Sequence, residues 1–281
     1  MSSGSLALNF AAQDGALTAE RVETKYLVPP ERLPALLQRV SARLWAHPFM
    51  GESACPGGTQ YVVTSVYFDT PSRAYFLAAQ RNAWKNLKLR LREYSEIQEP
   101  SSELLAEPPL LPRPEPWLWL ELKQREGSTT SKRRIRISRA KAASLFAASR
   151  AGQAPSQEQA QEQQEFEALL LHSKEAGEPL EPSVLVSYRR RAFQVDEGQL
   201  RVTIDLGIEY HRVPTSLTDL KGPLAQSALG AAAGREPRAV VEVKRLGSLP
   251  SWLEQTLRET GAPATPFSKF VAANEALHGA R

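Results

Sequence analysis

A single cysteine, Cys55, leaves this chain no partner for an intrachain disulfide, and a reducing compartment is expected. Cys55 precedes Pro56, Gly57 and Gly58 in a loop-like stretch without a nearby histidine, which speaks against a catalytic thiol. The 4 histidines are scattered, show no zinc-type spacing and read as surface residues, and no GxxxxGK[ST] phosphate loop occurs. The common zinc and nucleotide-loop solutions are therefore disfavoured. No run reaches the ~18 apolar residues that a membrane span requires. The segment from Met1 to Glu20 lacks the basic start and unbroken apolar stretch of a secretion signal and reads as a disordered N-terminal segment. The expectation is a cytoplasmic protein with no membrane span.

What is present is charge, and its distribution matters more than its sum. The formal net charge of +4 and the pI near 9.2 permit nucleic acid, anionic membrane or phosphate partners alike. With 281 residues the chain can bury a sizeable core. Residues 21–281 read as a single domain, with 98–116, 150–165 and 215–237 as loops or insertions rich in Pro, Gln/Glu or Ala/Gly. Elsewhere the patterning has period two and predicts strands at Arg21 to Val28, Gln60 to Asp69, Asn86 to Tyr94, Leu118 to Gln124, Lys132 to Ile137, Leu185 to Val195, Arg201 to Glu209 and Ala239 to Lys244. Helices are expected at Pro30 to Leu44, Ala140 to Ser149, Gln159 to Leu171 and Ser251 to Thr260. The predicted class is α+β: a closed antiparallel barrel of about eight strands with helices packed outside it.

Residues at i and i+2 share one face of a strand. That spacing groups Arg21, Glu23 and Lys25; Lys88, Arg90 and Arg92; Glu121 and Lys123; Lys132, Arg134 and Arg136; Tyr188 and Arg190; Arg201, Thr203 and Asp205; and Glu242 and Lys244. A charged alternate face is also what any half-exposed strand shows. The opposite faces tip the balance, because Leu87, Leu89 and Leu91, or Val202, Ile204 and Leu206, give nearly every strand an apolar side that helices could cover. The charged faces then point inward. An interior with that many cations and few carboxylates must hold water and an anion, since unpaired buried charge costs several kcal/mol. A phosphate chain fits, with Arg supplying bidentate forks and Lys point charges. Such ligands arrive with Mg²⁺ or Mn²⁺, and among the inward carboxylates Glu23, Glu121, Asp205 and Glu242, the first choice of metal ligand is Glu242, followed by Glu23. Nucleic acid is not expected as a partner, because no aromatics interleave with the cations as stacking platforms.

The ordered motifs RVETKYLV, SVYFDT, KLRLREY, ELK with SKRRIRI, SYRRRAF, LRVTIDLGI, VVEVKRLGSLPSWL and PFSKF resemble the VTC domain. This is the catalytic domain of vacuolar transporter chaperone polyphosphate polymerases and their bacterial relatives, within the triphosphate tunnel metalloenzyme (CYTH-like) superfamily. The likeness runs from Arg21 to Ala276. It implies a tunnel fold in which the γ-phosphoryl group of ATP passes to a polyphosphate chain with a divalent metal. By motif, the basic positions fall on Arg21 and Lys25, on Lys88 and Arg90 or Arg90 and Arg92, and on Arg190 and Arg201; the metal-binding glutamate falls on Glu242 and a Ser-Lys pair on Ser268 and Lys269. The resemblance thus implies Lys25, Arg90, Arg190 and Arg201 as the catalytic cations. The rest of the charged face, Lys123, Lys132, Arg134, Tyr188 and Lys244, joins Arg21, Lys88, Arg92, Ser268 and Lys269 as the expected substrate contacts. Tyr67 and Asp69 match the YFDT signature, where the aspartate could fix a turn or touch substrate. The first strand reads Arg-x-Glu-x-Lys where hydrolytic members carry Glu-x-Glu-x-Lys, which makes simple triphosphate hydrolysis the less expected activity. A metal-dependent phosphohydrolase and a non-catalytic polyphosphate sensor remain the alternatives. With no membrane segment and no room for a regulatory domain, this chain alone is not expected to translocate polymer.

Overall fold

The computed structural model describes residues 21–46, 60–96, 113–114, 117–140, 142, 178, 180–195, 199–214, 224 and 229–279. Eight long strands form where the period-two pattern places them: β1 (Arg21–Val28), β3 (Gln60–Asp69), β4 (Lys85–Glu96), β6 (Trp117–Glu126), β7 (Thr129–Ser138), β8 (Glu181–Val195), β9 (Leu200–Arg212) and β11 (Ala239–Leu246). Three short ones, β2 (Trp45–Ala46), β5 (Arg113–Pro114) and β10 (Gly234–Glu236), pair with β8, β4 and β9. The helices are α1 (Leu33–Ser41), entered through a 3-10 turn at Pro30–Arg32, then α2 (Ala74–Gln80), α3 (Ser251–Glu259) and α4 (Lys269–His278). The expected helix at Gln159 to Leu171, and all but the first residues of that at Ala140 to Ser149, lie outside the described residues, as do residues 1–20 and 150–165.

The strands run in the order β1-β11-β9-β8-β3-β4-β6-β7, and every pairing is antiparallel. Register puts the predicted charged positions on one face: Lys25 opposite Glu242, Glu242 opposite Thr203, Asp205 opposite Arg190, Arg190 opposite Tyr61, Tyr67 opposite Arg90, Arg90 opposite Glu121, and Glu121 opposite Arg134. In a flat sheet β1 and β6 would lie roughly 29 Å apart at about 4.8 Å per strand. Yet Lys123 on β6 acts electrostatically on Glu23 of β1, so the sheet curls with this face inward.

The opposite, convex face is the main apolar layer. On one half, Phe193, Val202, Ile204, Leu206, Val241 and Val243 meet Leu33, Leu36, Leu37 and Val40 of α1 and Leu253 and Leu257 of α3. On the other, Leu87, Leu89 and Leu91 pack with Leu118, Leu120, Leu122, Ile135 and Ile137. Burying each such side chain contributes about 1.5–3 kcal/mol, which fixes register because a one-residue slip would turn the whole apolar set outward. A β-bulge interrupts the β8/β9 pairing between Ser187 and Arg189, where Gly207 takes φ +57, a conformation open to glycine and strained for other residues.

Two expectations are corrected. The barrel is an open, curled half-barrel, since β1 and β7 end the strand order without pairing to each other. The outer edge of β1 is taken by the segment after α3: Tyr26 bridges Ala264, and the Thr265 N–H donates to the Lys25 carbonyl. That segment carries the chain around the edge, and so the helices do not all pack outside. The last, α4, lies against the concave face, with Phe270 stacked on Tyr67 at 5.1 Å.

Candidate functional site

Three ion clusters line the concave face. The first surrounds Glu121, which is 2% exposed. Arg90 donates from Nε at 2.7 Å and also pairs through Nη2; Lys132 stands at 3.1 Å, Arg134 at 3.5 Å and Arg92 at 3.7 Å. Burial pushes the Glu121 carboxyl up, but the surrounding cations outweigh it and hold it well below the usual carboxylate range. Arg90 also donates to the Tyr67 hydroxyl, and the buried Arg92 donates to Ser65 and Tyr94. These two guanidiniums are fixed in place, whereas Lys132 and Arg134 have side chains 50% and 33% exposed.

The second cluster centres on Asp205, fully buried. Arg190 grips it bidentately at 2.6 and 2.8 Å, and Lys269 of α4 donates to it at 2.6 Å. Tyr188 is buried beside them, its ring under Lys269 at 4.7 Å and under Arg190 at 5.3 Å. Ser268 caps α4, accepting from Val271 N–H, and receives Lys88 Nζ at 3.0 Å.

The third is a square of alternating charge on β1 and β11. Lys25 lies 3.2 Å from Glu23 and 4.0 Å from Glu242; Lys244 lies 2.9 Å from Glu242 and 3.5 Å from Glu23. Burial and the facing Glu242 push the Glu23 carboxyl up, but Lys244, Lys25 and Lys123 hold it below its ordinary value. For Glu242 burial is likewise overcome, by Lys244, Lys25 and Arg190, and its carboxyl falls far below the usual range. Both are ionised hard-oxygen donors side by side. No group of three metal-ligating side chains occurs among the described residues. Two carboxylates with the remaining coordination left to substrate oxygens suit Mg²⁺ or Mn²⁺, so the residues present fit the expected metal.

Among the described residues Lys88, Lys123 and the half-buried Arg201 make no ion pair within 4.0 Å, although Lys123 feels Glu23 and Glu242 at longer range. The consequence shows in Lys88. Burial, together with Lys25, Lys123 and Arg90, brings its ammonium down to about 8 against the opposing pull of Tyr67. Lys123 and Lys132 are lowered too, chiefly by partial desolvation among the crowded side chains of the face, although both keep contact with solvent. Lys88 and Lys123 border a cavity of about 140 Å³ at one end of the face, with Asn82, Asn86, Arg125 and Thr130.

The face thus brings together Lys25, Lys88, Arg90, Arg92, Lys123, Lys132, Arg134, Tyr188, Arg190, Arg201 and Lys244 with the carboxylates Glu23 and Glu242, while α4 adds Ser268 and Lys269. Arg21 holds the corresponding register position at the start of β1, opposite Leu246. Asp69 is the turn-former of the two readings open for it: its carboxylate accepts the N–H groups of Thr70, Tyr75 and Phe76 and so holds the start of α2. Sequence reasoning missed the anchoring roles of Tyr67, Ser65 and Tyr94, and it missed Trp117 and Trp119. These two carry Arg136 at 4.6 Å and Arg134 at 3.4 Å over their rings. Their signal was present, since WLWLELK places Trp117 and Trp119 in step with Glu121 and Lys123.

Fold and site together define an antiparallel half-barrel with a basic concave face and a C-terminal helix lying in it. Residues 20–278 match the VTC domain, and the chain belongs to that family. No curated protein matches the chain in sequence. Similar solved structures include a putative adenylyl cyclase from Hippeastrum with a dominant triphosphatase activity, at 17% identity over 91% of this chain and 96% of that one, TM-score 0.49. A putative adenylate cyclase from Bacillus halodurans is 16% identical over 89% and 94%, TM-score 0.43. The PH1819 protein from Pyrococcus horikoshii is 12% identical over 87% and 92%, TM-score 0.38. Among the described residues no helix is long and apolar enough to cross a membrane.

Proposed function

We propose that the concave face is a phosphotransferase site of the ATP:polyphosphate type, passing the γ-phosphoryl group of ATP to the end of a polyphosphate chain. The observation that carries this reading is the uncompensated positive charge of the face, expressed in a Lys88 ammonium brought down to about 8 by burial and by neighbouring cations. A polyanion relieves that repulsion. Membership of the VTC domain family supports the same reading.

Phosphoryl transfer asks for positioning and charge stabilisation more than for covalent help. Arg90 and Arg190 serve as fixed cations, already oriented by Glu121 and Asp205, so they need no reorganisation when charge develops. Arg201, Lys88 and Lys123 take phosphate oxygens directly, and the exposed Lys132 and Arg134 swing onto the chain. Lys25 stands between Glu23 and Glu242 and bridges their site to the phosphates. Glu23 and Glu242 would hold Mg²⁺ or Mn²⁺, which supplies neutralisation of phosphate charge. The attacking oxygen of an acceptor phosphate is already anionic, so no side chain has to remove a proton from it.

The test is to incubate the purified protein with ATP and Mn²⁺ or Mg²⁺, with and without a short polyphosphate primer, and to resolve the products by size. A ladder of lengthening polyphosphate with matching ADP is the expected result. Free phosphate without a ladder would assign hydrolysis instead, and tight tripolyphosphate binding without turnover would assign a sensor.

A further inference from the structure

The two ends of the concave face differ in chemistry. One end holds the cavity of Lys88, Lys123, Asn82, Asn86 and Thr130. The other holds Trp117 and Trp119, neighbours at i and i+2 on the same face of β6, with Arg136 and Arg134 lying over their rings. Trp117 is 36% exposed at the rim, and the buried indole N–H of Trp119 has no acceptor among the described residues. Arg134, which covers Trp119, is also a member of the Glu121 cluster, so the aromatic end runs directly into the phosphate-binding cations.

We infer that Trp117 with Arg136 is a nucleobase platform, so that a nucleotide lies along β6 with its base at this rim and its phosphates toward Glu121 and Lys123. The inference rests on the proposed use of a nucleoside triphosphate and adds its orientation and the residues that tell it from a bare phosphate chain. Glu121 lies four steps along β6 from Trp117, about 13 Å at ~3.3 Å per residue, which an extended nucleoside triphosphate spans. Every base has a π-face, and stacking on an indole or on a guanidinium plane favours nucleotides over inorganic phosphates without selecting strongly among bases. Trp119, covered by Arg134, joins this platform to the Glu121 cluster. Trp84, exposed near the opposite end, lies against Gly127 and does not line the cavity there. That end is therefore left to the phosphate chain.

Calorimetric titration of ATP and of inorganic tripolyphosphate, both in EDTA to prevent turnover, separates base from phosphate recognition. Trp117→Ala should weaken ATP binding about ten-fold and leave tripolyphosphate unchanged; Arg136→Gln should act in the same direction. Indole fluorescence should be quenched by ATP but not by tripolyphosphate, and the quench should shrink in Trp117→Ala. Equal losses for both ligands, or no loss for either, would overturn the platform. So would a selective loss of ATP binding in Trp84→Ala, which would move the base to the opposite end. If wild-type protein binds neither ligand, the phosphate reading itself fails and takes this inference with it; if it binds both and the ratio is unmoved by Trp117→Ala, only the platform fails.

Discussion

Glu121→Gln tests the electrostatic logic of the fold most directly. The substitution keeps shape and hydrogen-bonding capacity but removes the single negative charge that Arg90, Arg92, Lys132 and Arg134 share. Arg92 is buried beside Ser65 and Tyr94 and cannot turn to water, and Arg90 is held by the Tyr67 hydroxyl, whereas Lys132 and Arg134 are free to turn outward. Breaking a buried pair by removing one partner costs about 3–5 kcal/mol, and the two mobile cations place this case near the lower limit. Urea denaturation at neutral pH should then show a loss of about 3 kcal/mol, a fall in melting temperature of roughly 6–12 °C. The pH dependence has a definite sign. The Glu121 carboxyl lies well below its ordinary 4.5 in the folded protein, so its contribution is present above that pH and is lost as pH falls further. The gap between wild type and variant should therefore close in acid. Tripolyphosphate should restore more stability to the variant than to wild type, because it supplies the missing negative charge. A loss under about 1 kcal/mol, with parallel acid limbs for the two proteins, would refute the view that this carboxylate organises the face.

Three further outcomes are expected. Because Lys88 titrates near 8 in the free protein, tripolyphosphate binding, measured by calorimetry, should weaken as pH rises through that value, and Lys88→Arg should remove the dependence. Glu242→Gln should raise the metal concentration for half-maximal turnover by about ten-fold or more, with metal-free tripolyphosphate binding unchanged or tighter because Lys25 and Lys244 lose an internal anion; chelation should abolish turnover in both proteins. Asp69→Ala strips acceptors from the N–H groups of Thr70, Tyr75 and Phe76, and chemical denaturation should show a loss of about 3 kcal/mol.

Period-two patterning made the sheet legible because each long strand carries a clean division of labour. Leu87, Leu89 and Leu91 have nowhere to go but the apolar convex layer, and this commits Lys88, Arg90 and Arg92 to the other side. Inward direction could be argued from the helices, since α1 and α3 present apolar stripes that need that same convex layer. Which cations are bound to carboxylates was not legible. Pairing depends on strand order and register: β11 beside β1 sets Glu242 beside Lys25 across strands far apart in the chain, and the register of the consecutive strands β8 and β9 sets Asp205 beside Arg190. The helix α4 could have been found, because Ser268 is a capping residue and Phe270, Ala273 and Leu277 recur at helical spacing. The PFSKF motif invites attention to Ser268 and Lys269 as ligands and hides their second role as the start of a helix.

Closure was expected because eight strands suit a small barrel, but strand number does not decide which edges are free. Here the decision falls to the residues between α3 and α4. The chain reaches α4 along the edge of β1, where Ala264 and Thr265 take up backbone groups of Tyr26 and Lys25. The same path lets Lys25 Nζ donate to the Phe267 carbonyl at 3.1 Å and brings Lys269 to Asp205. An edge occupied in this way cannot also pair with β7. The exposed Lys132, Arg133, Arg134 and Arg136 make β7 a charged edge, which has no second strand partner among the described residues. The opening and the inward helix are therefore linked through one segment: the residues that lead into α4 occupy the edge of β1 that a closed barrel would have paired with β7.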